Sequence, residues 1–226
     1  MADNYERMVR WYLRFNGYFT IENFYVHNPK KVFLEHVGDD TETDILGIRM
    51  PYSDEIAGTV KIANHAPLIS GANGRSDVVI AEVKNVEGAR PNSIWRHQED
   101  ADAVATISYI LRFIGGWNED RLQEIARSLI ADFKFSDERF RVRYVMFSRS
   151  LSKGYADRVQ HISFKEIVRF LDEQRGQCWK EHGLGVASTH NEWEPLITET
   201  FRILNGEDPP LERQKMVLRL LKNYGK

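Results

Sequence analysis

Two stretches of the chain place charged side chains where a buried strand would not carry them without reason. Residues 41–48 read Thr-Glu-Thr-Asp-Ile-Leu-Gly-Ile, and residues 77–85 read Asp-Val-Val-Ile-Ala-Glu-Val-Lys-Asn. Side chains alternate across a strand, so Glu42, Asp44 and Leu46 share one face of the first, and Val78, Ile80, Glu82 and Lys84 share one face of the second. Val79, Ala81 and Val83 fill the opposite face, which makes the second stretch apolar on both sides until its end, as in a central strand covered by helices. A charge buried there is costly unless it is paired or coordinates a metal. If the two strands are neighbours, Asp44 approaches Glu82 with Lys84 beside them. Two carboxylates and an amine at one point suit Mg²⁺, whose hard oxygen ligands at about 2.0–2.1 Å are completed by water and substrate phosphate. Asp77 is the rival first carboxylate, but five positions before Glu82 it falls on the opposite face and roughly 16 Å away.

The elements that must position these residues are legible from periodicity. Tyr5, Met8, Val9, Tyr12, Leu13 and Phe15 follow a helical spacing that Asn16-Gly17 terminates. Tyr18 to His27 turns β-rich before Asn28-Pro29, Thr41 to Met50 forms a second strand and Val78 to Lys84 a third. Val104, Ile107, Ile110, Leu111 and Ile114 mark a helix between Gln98 and Ile114, followed by another over about Glu119 to Phe133. Arg141 to Ser148 and Val159 to Phe164 read as strands, the latter feeding a helix from Lys165 to Glu173. Past Gly183 the sequence is linker-like, then helical around Trp193 to Leu204 and Leu211 to Asn223. The expected architecture is α/β, a mixed central sheet flanked by helices over residues 1–182, with a C-terminal helical extension over 183–226.

The order helix, strand, strand with Asp44, strand with Glu82-Val83-Lys84, then helix resembles the PD-(D/E)xK nuclease superfamily, the restriction-endonuclease-like αβββαβ fold, and the Glu-Thr-Asp-Ile-Leu-Gly context is similar to its resolvase-like and Mrr-like members. The resemblance covers roughly residues 1–175. It departs in having no Pro before Asp44 and a gap of 82 − 44 = 38 residues between the two acids. The resemblance implies a Mg²⁺-dependent phosphodiesterase, with Mn²⁺ as a substitute, that cuts DNA as an endonuclease rather than an exonuclease. Asp44, Glu82 and the backbone carbonyl of Val83 would hold the ion, and Lys84 would position the attacking water. Many members add a Glu from the first helix, and Glu6 is the candidate, at the edge of the Met8/Tyr12/Phe15 stripe. The alternative of another class is a non-catalytic nucleic-acid-binding or protein-interaction module of the same fold.

Composition bounds these readings. A chain of 226 residues, 42% hydrophobic, can bury a sizeable core without disulfide or structural zinc, and Cys178 is its only cysteine. With 31 basic against 33 acidic residues the net charge is −2, so no global field favours nucleic acid and any such binding must be local. Arg90, Arg96 and His97, with Asn92 and Trp95 in the loop after Lys84, form the local candidate for contacting phosphate or bases; Trp95 reads better as an anchor for the next helix. Arg139, Arg141 and Arg143 alternate as a solvated strand face would. Cys178 and His182 have helical ligand spacing but no second pair, and read as an ordinary helix. Gly71-Ala-Asn-Gly74 lacks the Lys-Ser/Thr of a phosphate loop and reads as a turn. No apolar run approaches a membrane span, the N-terminus lacks the basic start and apolar core of a signal peptide, and the expectation is a soluble cytoplasmic protein. Trp193, Leu196, Phe201 and Leu204 are the expected face of a homodimer.

Overall fold

The computed structural model describes residues 3–26, 41–54, 56–57, 60–96, 101–181 and 194–225. Helix α1 (Asn4–Phe15) starts at a capping box, Asp3 accepting from the Glu6 amide while the Glu6 carboxylate accepts from the Asp3 amide. It ends at Asn16 and at Gly17, whose φ of 81° and close approach to the Ser53 carbonyl leave no room for a side chain. Strands β1 (Phe19–Val26) and β2 (Thr41–Arg49) follow, then a hairpin of β3 (Ile56–Ala57) and β4 (Val60–Lys61), and the short α2 (Ala66–Ile69). Next come β5 (Ser76–Lys84), α3 (Ala101–Ile114), α4 (Glu119–Asp132), β6 (Lys134–Ser136), β7 (Phe140–Ser148) and β8 (Gln160–Ser163). The chain closes with α5 (Phe164–Arg169), a π-helical segment (Phe170–Gly176), α6 (Gln177–Glu181), α7 (Pro195–Leu204) and α8 (Pro210–Asn223).

Among the described residues the main sheet has six strands in the order β1-β2-β5-β7-β6, with β8 also on β7. β1, β2 and β5 pair antiparallel; β5, β7 and β8 run parallel, and the β5-to-β7 connection passes through α3 and α4. The protein is therefore α/β, a mixed sheet flanked by helices. β5 is buried along both faces, as its two-sided apolar pattern requires. Its odd-numbered residues Val79 and Ala81 belong to the core shared with α1, α5, α7 and α8; its even-numbered residues Val78 and Ile80 belong to the core shared with α3, α4 and Trp95.

Two expectations are corrected. Arg141 and Arg143 are buried, not solvated: both guanidiniums pair at 2.6 Å with Asp77, which is fully buried and also accepts from the Tyr18 hydroxyl. β5 and β7 run parallel from the same end, so their first charged residues meet. The C-terminal helices are not an appendage, because Leu196, Ile197, Phe201, Leu204, Val217 and Leu221 pack into the same core as α1. Leu196, Phe201 and Leu204 are therefore spent within the chain and cannot form a homodimer face; Trp193, like the expected boundary at 182/183 and His182, lies outside the described residues.

Candidate metal centre

The site is built at the end of β5 from backbone register. Ile45 pairs with Ala81 and Leu46 with Ile80, so one further step along the antiparallel strands sets Asp44 against Glu82. Asp44 is fixed there by Val83, whose amide donates to Asp44 Oδ2 at 2.6 Å. On the other side of β2, the pairs Glu22–Ile45 and Phe24–Thr43 bracket Asn23, which has a left-handed φ of 48° at the step opposite Asp44. Asn tolerates that conformation.

Glu82 is 4% exposed and its two oxygens are treated differently. Oε2 accepts from the Tyr144 hydroxyl and, at 3.2 Å, from the Asn92 amide. Oε1 lies 2.6 Å from Lys84 Nζ, yet the ammonium approaches outside hydrogen-bond direction; this buried oxygen has a charge partner but no aligned donor. Lys84 Nζ donates instead to the Arg90 carbonyl at 2.7 Å and to Asn92 Oδ1 at 2.8 Å. Burial first, then the Glu82 charge and hydrogen bond, then the Asp44 charge push the Tyr144 hydroxyl well above its ordinary pKa, so it keeps its proton and acts as a donor.

This donor set fits a divalent cation. Glu82 offers a buried anionic oxygen that lacks an aligned donor, and Asp44 adds a second carboxylate anchored by backbone. Among the described residues no group of three or more His, Cys, Asp or Glu gathers to hold a metal, so the protein would supply two carboxylates. Mg²⁺ is commonly held by one or two carboxylates, with water and phosphate completing its shell. No family model, curated protein or solved structure matches the chain. The chemistry of the site therefore rests on its own geometry.

Of the residues singled out from the sequence, the structure brings Asp44, Glu82 and Lys84 to the same end of the β2–β5 pair, and Val83 contacts Asp44 through its amide, a contact distinct from the carbonyl ligation expected of it. Glu6 is not among them. Its helix packs Met8, Val9 and Tyr12 on the odd-numbered face of β5, opposite Glu82, and its carboxylate closes the capping box. Helical phase allowed Glu6 to turn inward, but sheet parity decides which face it meets. Arg90 and Arg96 are exposed on the loop after β5, with the Arg90 carbonyl taken by Lys84; His97 lies outside the described residues. Trp95 is buried against the Tyr144 ring, centroids 4.3 Å apart, which agrees with an anchoring role.

Two members of the site were missed, Tyr144 as a donor and Asn92 as the residue gripping both Glu82 and Lys84. A tyrosine inside an otherwise apolar strand is the signal that could have found the first, because a buried hydroxyl needs a partner.

Proposed function

We propose that the protein is a divalent-metal-dependent nuclease that hydrolyses phosphodiester bonds in DNA as an endonuclease, with Asp44, Glu82 and Lys84 as its centre. The observation carrying this reading is the buried Glu82 Oε1, without an aligned donor, beside the Lys84 ammonium and across the strand pair from Asp44. The element order supports it: a helix, three antiparallel strands, crossover helices and a strand parallel to the third are what a restriction-endonuclease-like core requires. When bound, Mg²⁺ would polarise the scissile phosphate and lower the pKa of a water. The chain's own part is to hold that charge with Asp44 and Glu82 and to keep an ammonium fixed at the rim. There Lys84, anchored by Arg90 and Asn92, orients water or a phosphate oxygen. Arg90 and Arg96, exposed on the adjoining loop, would meet the DNA backbone. A lone cysteine accords with a reducing cytoplasm.

One observation favours the other reading. Lys84 has three oxygens within 2.8 Å, so its charge is already neutralised within the site, as in a binding module that has no need of it. The test is cleavage of linear, nicked, branched and single-stranded DNA with Mg²⁺ or Mn²⁺. A nuclease cuts at least one of these, loses cutting in Glu82→Gln, and slows by ~10²-fold or more in Lys84→Ala. Absence of cutting across the panel selects the binding module, and undiminished cutting in Lys84→Ala displaces the centre from this residue.

A further inference from the structure

The unequal treatment of the two Glu82 oxygens traces to one side chain on the neighbouring strand. Tyr144 lies on β7, where the parallel register pairs it with Ile80; it therefore shares the face of Ile80 and Glu82 and reaches one pleat forward to the carboxylate. Its freedom is small. The side chain is 1% exposed, its ring lies 4.3 Å from Trp95 and 5.7 Å from Phe133 between centroids, and neither contact requires a hydroxyl. A phenylalanine would satisfy the packing, so the hydroxyl group is the part of this residue that addresses the site.

We propose that Tyr144 is a positioning residue of the metal centre: its hydroxyl, together with the Asn92 amide, occupies Glu82 Oε2 and thereby leaves Oε1 as the oxygen offered to the cation. The inference rests on the reading of Glu82 as a metal ligand. A carboxylate clamped through one oxygen is restrained about its terminal bond, so its other oxygen holds a fixed place 2.6 Å from the Lys84 ammonium. Without the Tyr144 hydroxyl that orientation is held only by the Asn92 amide and the Lys84 ammonium, and more of the ligand's ordering falls to the moment an ion binds. Partners that orient a ligand from behind contribute about 10–100-fold to metal affinity.

The experiment is Mn²⁺ titration of the full chain, without DNA, followed by electron paramagnetic resonance, which reads bound ion directly and needs no activity. The wild type should take up Mn²⁺, Glu82→Gln should bind at least tenfold more weakly, and Tyr144→Phe should also lose 10–100-fold. Replacement of Tyr144 by 3-fluorotyrosine retains the hydroxyl and should keep affinity within twofold. That variant separates the hydrogen bond from the packing if the Phe variant is impaired in folding. A wild type that takes up no Mn²⁺ overturns the metal reading, and this inference with it. Uptake that is lost in Glu82→Gln but stays within twofold in Tyr144→Phe overturns the inference alone. A tenfold loss with 3-fluorotyrosine assigns the effect to packing and likewise overturns it.

Discussion

Glu82 stands between a repulsion and three favourable partners, and the balance can be weighed. Asp44 is a like charge across the strand pair; against it act the Tyr144 hydroxyl, the Asn92 amide and the Lys84 ammonium. Hydrogen bonds to a charged group contribute about 1.5–3 kcal/mol each, more than a repulsion softened by the partly exposed ammonium. Glu82→Gln should therefore lower metal-free stability by about 1–3 kcal/mol in urea unfolding. A variant more stable than the wild type would mean that repulsion dominates the site. At this scale the sequence was informative because strand alternation has a period of two: it put Glu82 and Lys84 on one face without knowledge of the fold, and Asp44 beside them on the condition that the two strands are neighbours, which they are. Tyr144 escaped because its role depends on which strand lies beside β5 and in which direction, and no local pattern carries that.

Among the elements, the start of β5 and β7 is held by charge as its end is used by chemistry. Asp77 receives both Arg141 and Arg143, and the arginines also donate to carbonyls of Leu68 and Ser70, tying α2 to the sheet. Burial works to raise the Asp77 pKa, but the Arg141 hydrogen bond and the charges of Arg143 and Arg141 outweigh it and hold it below the ordinary value. Asp77→Asn leaves two buried guanidiniums without their anion and should cost about 3–5 kcal/mol at neutral pH. A depressed carboxylate contributes stability above its unfolded pKa, near 3.9, and loses it as the pH falls through the folded value. The gap between wild type and Asp77→Asn in urea unfolding should thus be constant from about pH 5 to 8 and narrow below about pH 4; a gap that persists at pH 2 would exclude this linkage.

The arginine alternation in β7 looked like a solvated face because period two marks exposure only when the neighbouring strand brings no counter-charge. The π-helical turn was equally hidden. Arg175, fully buried within it, donates to the Phe15 carbonyl at the end of α1 and lies over the Phe170 and Trp179 rings, contacts that only the assembled helices create.

Across the whole molecule, the last two helices complete the core rather than decorate it. Phe201 is fully buried, with ring centroids 5.7 Å from Phe15 and 5.3 Å from Trp179, so residues nearly 190 positions apart close one aromatic cluster. Phe201→Ala should cost about 3–5 kcal/mol, measured as a shift of the urea midpoint with unchanged slope. A loss below 1 kcal/mol would show that α7 docks only loosely. The helices themselves were legible from their spacing. Their destination was not, since an apolar stripe looks the same whether it meets its own chain or a second copy.

The loop after β5 is stitched to the loop after β7. The Ala89 amide donates to the Ser150 carbonyl, the Ser152 amide donates to the Ala89 carbonyl, and the Gly88 amide donates to Ser150 Oγ, all at 2.9 Å. Arg90 and Asn92, which grip Lys84, stand just beyond this seam. Their coordinates are thus inherited from β7, and the loop's own length before Ala89 matters little. An insertion beside the exposed Val86, ahead of the residues that bind Ser150, would leave the seam intact, whereas a proline at position 89 or 152 would unpick it and release the lysine from a distance.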